Sequence, residues 1–359
     1  MRTSAALLAT CVACVGCTRT PPAAGIVFPG ERWQTASPES QGIDPARLRQ
    51  AIAHLRSVCG KHGTDETMIV KNGYVVWRGQ HVDRRHIIWS CTKSFTSTCL
   101  GLLWDDGKLT PQTLAHEHAP ALAKDYPTVT LRHLGTFTGG VNVPKNHTTI
   151  GEPLHAPGAA FHYNKQTDVL AAILTRIAGR SLEELFFERV GDRIGITRND
   201  MDWLHALEEN GIPVNGGAGM PASGVTINAR GIARFGWLYC NRGVWNGQRL
   251  ISERYIEYAC VPRTSRDTPP HNPGGWYVQL PGMYGLNWWT NGVRADGKRF
   301  WPSASPDTFA AQGNKNNNCL IVPEWKLVVV RLGQDKIIAM EHYDKVFELL
   351  APADARPRP

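Results

Sequence analysis

A serine and a lysine three residues apart, Ser90 and Lys93, have the spacing that a serine nucleophile and its base require. Apolar residues recur after them at helical spacing, which predicts a buried helix that begins near Ser90. Residues i and i+3 share one face of a helix, so the lysine nitrogen can reach the serine hydroxyl. A serine hydroxyl attacks poorly until a base takes its proton, and a desolvated lysine amine can act as that base. The alternative is that Ser90 only caps a helix and Lys93 is a solvated side chain.

Other candidate sites in the sequence are weaker. The run His116-Glu117-His118 lacks the spacing that places two imidazoles on one helical face, so a solvated loop is favoured over a metal site. The chain contains no G-x-S-x-G, Walker or G-x-G-x-x-G motif, which removes the main support for an α/β-hydrolase or a nucleotide-binding protein. We therefore expect neither a metal nor an organic cofactor.

Strand-like runs near both ends of the chain enclose a helical middle. Two runs flank Asn72-Gly73 and predict a β-hairpin, and a similar pair flanks 323–325. Helices are predicted from cap residues and apolar periodicity at 45–55, 169–177, 181 onward and 229–239. This arrangement predicts an antiparallel sheet packed against helices, with a helical subdomain inserted at about 106–225. A ligand is expected in the cleft between the two parts.

Three segments of the chain resemble the serine β-lactamase and penicillin-binding protein superfamily, in its class C-like branch. Ser90 and Lys93 match its first motif, 130–140 (TLRHLGTFTGG) is similar to the family segment TLRHLLTHTSG, and 157–165 (PGAAFHYNK) is similar to the region of its catalytic tyrosine. The resemblance extends from about 37 to 331. It implies an α/β (α+β) fold of the β-lactamase/transpeptidase type, an antiparallel sheet flanked by helices. That branch also contains esterases, D-aminopeptidases and 6-aminohexanoate-dimer hydrolases.

The resemblance also implies roles for individual residues. Tyr163 matches the tyrosine that relays protons, although Lys165 stands where the motif has asparagine. The third motif falls at 309–315, where Gly313 matches the family glycine and the backbone amides of Ser90 and Asn314 would form the oxyanion hole. Lys165, Gln312 and Gly313 are the expected substrate-binding residues.

Ala311 departs from the family pattern, because it occupies the position of the cationic residue that grips a substrate carboxylate. Lys315 or Arg294 could replace that cation from another direction. The expected function is therefore an exported serine hydrolase that cleaves a small ester or amide through a Ser90 acyl-enzyme. A β-lactamase or D,D-peptidase, and a non-catalytic protein that binds peptidoglycan or a small ligand, remain the alternatives.

The N-terminal segment predicts export. Arg2 is followed by an uncharged, mostly small and apolar run over 5–16, which is typical of a signal peptide. Cys17 follows Val15-Gly16 as in a lipoprotein box, so a lipid on Cys17 and plain cleavage are both open. We expect a signal peptide at 1–17, a linker at 18–30, one hydrolase domain at 31–350 and a flexible tail at 351–359, in the periplasm or anchored to a membrane.

The composition of the chain indicates a globular protein that does not bind nucleic acid. The 359 residues are 42% hydrophobic and 19% charged, as in an ordinary globular protein, and the net charge of +8 is scattered, which argues against nucleic acid. Six cysteines follow the N-terminal segment, and some of them could pair as disulfides in an exported protein. Aromatic residues are dense over 276–301, where most would pack the sheet and one or two could line an apolar pocket.

Overall fold

The computed structural model describes residues 25–143, 150–217, 222–274 and 280–353. Its helices are α1 (Pro45–Val58), α2 (Thr92–Asp105), α3 (Ala115–His118), α4 (Leu131–Gly135), α5 (Gln166–Ala178), α6 (Leu182–Phe186), α7 (Ala229–Cys240), α8 (Glu253–Ala259) and α9 (Met340–Leu350). Its strands are β1 (Thr67–Lys71), β2 (Tyr74–Arg78), β3 (His86–Ile87), β4 (Met201–Trp203), β5 (His205–Glu209), β6 (Ile212–Asn215), β7 (Val225–Ile227), β8 (Val244–Trp245), β9 (Gln248–Arg249), β10 (Trp289–Thr290), β11 (Phe309–Gly313), β12 (Asn317–Val322) and β13 (Leu327–Arg331).

The main sheet combines strands from both ends of the chain, as predicted. Its order is β10-β11-β12-β13-β1-β2, and every neighbouring pair is antiparallel. The predicted hairpin at Asn72-Gly73 is confirmed as β1–β2, and β12–β13 is confirmed as the second. Ile69 of β1 lies opposite Val329 of β13, which joins the two ends of the sequence at the centre of the sheet.

Alternation along the strands gives the sheet a buried core on each face. Val328 and Val330 of β13 belong to the core that includes helices α2 and α7. Leu327 and Val329 belong to the other core, which includes α1 and α9. A strand exposes successive side chains to opposite faces, and helices cover both faces, so both sets of apolar residues are removed from water. The fold prediction of an antiparallel sheet flanked by helices is therefore confirmed.

The local signals for helix ends are also confirmed. Asp44 caps α1 by accepting a hydrogen bond from the amide of Ala46 at 2.7 Å. Ser181 and Glu184 form the predicted capping box of α6, with side chain to backbone bonds of 3.2 Å in both directions. Gly179 ends α5 with a φ of 67°, which glycine adopts without steric cost.

The middle of the chain is less helical than its pattern suggests. The segment predicted as a helical insert at 106–225 contains α3 to α6, but also β4, β5 and β6, and β7 begins at its end. These strands are three to five residues long, which is too short for clear alternation. The predicted insert boundaries stay a prediction.

All six cysteines within 25–353 are buried free thiols, so the structure contains none of the disulfides that the sequence left open. The predicted signal peptide, Cys17 and most of the predicted linker and tail lie outside the described residues. Among the residues described, no helix has both the length and the apolar character needed to span a bilayer.

Candidate active site

Ser90 lies in a tight turn, Trp89–Cys91, that leads directly into α2. Trp89 adopts a φ of 51°, an uncommon conformation for a bulky residue, which turns the chain sharply before the serine. Strand β7 holds the turn on both sides. The Ile88 amide donates to the Val225 carbonyl at 2.9 Å, and the Val225 amide donates to Thr92 Oγ1 at 2.9 Å. The turn that carries Ser90 is therefore fixed by backbone contacts.

Lys93 approaches Ser90 as the i to i+3 spacing predicts. Its Nζ lies 2.7 Å from Ser90 Oγ, which is hydrogen-bonding distance. Lys93, on α2, is only 2% exposed, while Ser90 is half-buried. A short hydrogen bond between a buried amine and an accessible hydroxyl is the geometry needed to move a proton from Ser90 to Lys93.

The Tyr163 ring lies close to the Lys93 amine. The Lys93 Nζ is 4.9 Å from the centre of the Tyr163 ring, and that ring packs on Phe137 at 4.3 Å between ring centres. The structure thus brings Ser90, Lys93 and Tyr163 together, although only the first two are close in sequence.

Tyr284 supports Tyr163, and its part in the site was missed in the sequence. The two rings meet edge to face at 5.8 Å. Burial, the neighbouring Tyr163 phenol and a hydrogen bond with it raise the pKa of Tyr284 well above its usual value. The Tyr284 hydroxyl therefore stays protonated and can donate a hydrogen bond to the Tyr163 oxygen. The sequence showed Tyr284 only as one member of an aromatic stretch.

Strand β11 passes directly behind the Ser90 turn, where the third motif was predicted. A Cβ added to Gly313 would lie 2.0 Å from the Ile88 carbonyl oxygen, so only glycine permits this approach. Asn314 follows Gly313 and opens a turn in which Lys315 and Asn316 both have positive φ. The Arg331 guanidinium donates to the Asn316 carbonyl at 3.1 Å and fixes that turn. Ser90 and Asn314 are thereby placed on the same cavity.

That cavity has a volume of about 580 Å³ and opens beside Ser90. Tyr163, Gln312, Gly313 and Asn314 line it, and their predicted roles in catalysis and binding stay predictions. Two of the aromatic residues noted in the sequence, Trp289 and Phe300, also line it. The wall further includes residues that the sequence gave no reason to choose: Leu280, Asn316, Asn318, Ile337, Ile338, Ala339 and Met340. All described residues of the wall are uncharged.

Three predicted cationic residues are not among the described residues of the cavity wall. Lys165 immediately precedes α5, and its predicted role in substrate binding stays a prediction. Lys315 is exposed, and Arg294 pairs with Asp296 at 3.0 Å; neither contributes to the wall. Ala311 is buried in the core beside α2. Among the described residues of the wall, neither Lys315 nor Arg294 therefore replaces the missing cation.

A family model described as Beta-lactamase matches residues 62–350, about four fifths of the chain. The chain belongs to the β-lactamase family. The 6-aminohexanoate-dimer hydrolase of Paenarthrobacter ureafaciens is 23% identical to this β-lactamase-family protein, with 74% of this chain and 78% of that protein covered.

Solved structures of the same fold include penicillin-binding and esterase relatives. A penicillin-binding protein homologue from Caulobacter crescentus has a TM-score of 0.65 at 15% identity, covering 88% of this chain and 98% of that one. A family VIII carboxylesterase has a TM-score of 0.63 at 17% identity, covering 86% and 97%. This β-lactamase-family chain therefore has the fold of penicillin-binding protein and β-lactamase-like serine hydrolases. At these identities the likeness fixes the fold and leaves the substrate open.

Proposed function

We propose that this protein is a serine hydrolase that cleaves an uncharged ester or amide through an acyl-enzyme on Ser90. The observation that carries the proposal is the 2.7 Å contact between Lys93 Nζ and Ser90 Oγ. Ser90 lines a cavity whose described wall residues are all uncharged. The names of proteins similar to this chain, a family VIII carboxylesterase and a 6-aminohexanoate-dimer hydrolase, support hydrolysis as the reaction class.

The proposed reaction follows from the positions of the groups. Lys93 takes the proton of Ser90, and Oγ forms a bond to the carbonyl carbon of the substrate. The amides of Ser90 and Asn314 bind the resulting oxyanion. As the intermediate collapses, the bond to the leaving group breaks and Tyr163 passes it a proton, so that an alcohol or amine departs. Lys93 returns its proton to Tyr163, which restores both groups. Water then attacks the acyl-enzyme and gives a proton to Lys93, the bond between Ser90 Oγ and the acyl carbon breaks as Oγ takes that proton, and the acid is released.

The uncharged wall favours this substrate class over penicillins and peptidoglycan termini. Those substrates carry a carboxylate, and a carboxylate moved out of water needs a cation or several donors to balance it. Ala311 stands at the position of the family cation, and neither Lys315 nor Arg294 is among the described residues of the wall. An ester or a neutral amide requires no such partner.

We further propose that the protein acts outside the cytoplasm, in the periplasm or attached to a membrane through a lipid on Cys17. The support is the N-terminal sequence, in which Arg2 precedes an apolar run that ends at Cys17. Mass spectrometry of the mature protein from its native membrane fraction tests this. An acylated Cys17 at the N-terminus supports the anchor, and an intact residue 1 contradicts export.

The catalytic proposal is tested by steady-state hydrolysis of a neutral 4-nitrophenyl ester and of a chromogenic cephalosporin that carries a carboxylate. We expect ester hydrolysis with a kcat/KM at least about a hundredfold above that for the cephalosporin, since an unbalanced carboxylate is excluded. Ser90→Ala should abolish turnover. The exposed Ser57, replaced in Ser57→Ala, is the matched control and should retain it. Faster hydrolysis of the cephalosporin would overturn the substrate class, and full activity in Ser90→Ala would overturn the mechanism.

A further inference from the structure

Two amide side chains lie next to each other on the wall of the active-site cavity. Gln312 of β11 and Asn318 of β12 are directly opposite each other in the antiparallel pair, so their side chains share one face of the sheet. Both line the cavity, and Asn318 is 98% buried, with only 2% of its surface exposed. Asn314 and Asn316 are the other amide residues among the described residues of that wall.

The hydrogens of the Asn318 amide are already used. Its Nδ2 donates to Asn316 Oδ1 at 3.2 Å and to Tyr343 Oη at 3.0 Å. The Tyr343 hydroxyl donates in turn to Asn316 Oδ1 at 2.8 Å, which fixes the orientation of all three groups. An amide nitrogen has two hydrogens, so this side chain has only its carbonyl oxygen left.

The amide nitrogen of Gln312 also contacts the protein. Its Nε2 lies 3.1 Å from Met340 Sδ at the start of α9. Within the described part of the chain, no donor reaches Gln312 Oε1 or Asn318 Oδ1. Two carbonyl oxygens therefore face the cavity without a protein donor. Neither oxygen is among the fully buried unpaired atoms of the structure, so each is open to a water molecule or to a donor group of a bound substrate.

The remaining wall limits what that donor can belong to. Trp289, Phe300, Ile337 and Met340 make it apolar. A carboxylate would meet two carbonyl oxygens and no cation, with at most the second N–H of Gln312 to balance it, and an ammonium would find no carboxylate on the described wall. A neutral N–H or O–H group on an apolar segment satisfies both the oxygens and the wall.

We propose that Gln312 and Asn318 form a subsite that recognises a neutral hydrogen-bond donor, such as a carboxamide or a hydroxyl, at the end of an otherwise apolar arm of the substrate. This inference rests on the proposed hydrolase function and adds to it the chemical class of the group bound beside Ser90.

The test compares two activated esters whose arms are the same size. One acyl arm ends in a primary carboxamide, and the other ends in a methyl ketone, which keeps the carbonyl and lacks the N–H. A second pair carries the same two ends on the alcohol side of the ester. We expect kcat/KM to favour the carboxamide by about tenfold or more in at least one pair, the effect of one buried hydrogen bond.

Asn318→Leu should reduce this preference at least fivefold. The kcat/KM for the carboxamide ester should fall, and the kcat/KM for the ketone ester should change little. The exposed Asn199, replaced in Asn199→Leu, is the matched control and should keep it. Should Asn318→Leu fail to fold, the ester pairs with the unaltered protein still decide the question. Equal rates, a preference for the ketone, or no turnover of any of the four esters while a generic fluorophosphonate labels Ser90 would overturn the subsite. Failure of the fluorophosphonate to label Ser90 would instead overturn the proposed function.

Discussion

Replacing Gly313 by alanine should separate the two halves of the proposed oxyanion hole. The new Cβ would lie 2.0 Å from the Ile88 carbonyl oxygen and 3.1 Å from the Cys91 amide nitrogen. Both neighbours are backbone atoms of the turn that carries Ser90, so no side chain can rotate away. Restoring ordinary contact requires β11 and the Ser90 turn to move apart by about 1 Å.

That displacement acts on the amides of Ser90 and Asn314 together. Misplacement of about 1 Å costs about a hundredfold in rate, and loss of one oxyanion donor costs about 10²- to 10³-fold. We therefore expect Gly313→Ala to lower kcat/KM for a neutral ester by about a hundredfold. Overpacking of this kind also lowers the free energy of unfolding by about 1–3 kcal/mol.

The assay combines ester hydrolysis, the rate of fluorophosphonate labelling and thermal unfolding. Gly30→Ala is the control, because a Cβ at Gly30 would meet nothing within 4 Å and the residue has no positive φ. It should leave both activity and stability near those of the unaltered protein. A folded Gly313→Ala protein that keeps kcat/KM within about twofold would contradict the proposed oxyanion hole, since β11 would then not position the oxyanion.

Three further predictions concern the remaining groups of the site. Lys93→Met keeps an apolar chain in α2 but removes the base, so kcat for the ester should fall by about 10²- to 10⁴-fold, and retention of kcat would contradict the role of Lys93. Tyr163→Phe keeps the ring packed on Phe137 and removes only the hydroxyl. Its kcat should fall by about 10²-fold, and the loss should shrink for esters whose leaving alcohol is more acidic. Its melting temperature should fall by only a few degrees, because the buried Tyr284 hydroxyl loses its hydrogen-bond partner. Burial, followed by the neighbouring His271 and His155, lowers the pKa of His162 to about 4 from 6.5. The unfolded chain then binds more protons between these values, so stability present above pH 6.5 is lost as the pH falls toward 4. The urea-derived free energy of unfolding should decrease by about 1–2 kcal/mol more between pH 7.5 and 5 than in His162→Gln, and equal slopes would contradict the assignment.

Features with a local cause could be predicted from the sequence. The approach of Lys93 to Ser90 follows from one turn of helix, and the capping box of α6 and the Asn72-Gly73 hairpin depend on neighbours in the chain. Tyr163 has no such local signature, because a tyrosine ahead of a helix is more often a packing residue. It was found only through the resemblance to a family.

The cavity wall could not be predicted in this way. Asn318 contributes to it because β12 pairs in one register with β11, and Met340 does so because α9 packs on the same face of the sheet. Three consecutive asparagines at 316–318 suggest a loop, yet two of them begin β12. The contact of α9 with the sheet joins Gln312 and Met340, which are 28 positions apart, and the register of β12 on β11 is set by the turn between the two strands. Periodicity records neither.

The most direct test of the central claim is the mass of the protein after reaction with a fluorophosphonate, followed by peptide mapping. We expect one adduct per chain, on Ser90, formed by the unaltered protein and by Ser57→Ala but absent in Ser90→Ala. Lys93→Met should slow its formation by about a hundredfold or more. An adduct on any other residue, or a folded protein that forms none, would contradict the account of Ser90 as an activated nucleophile.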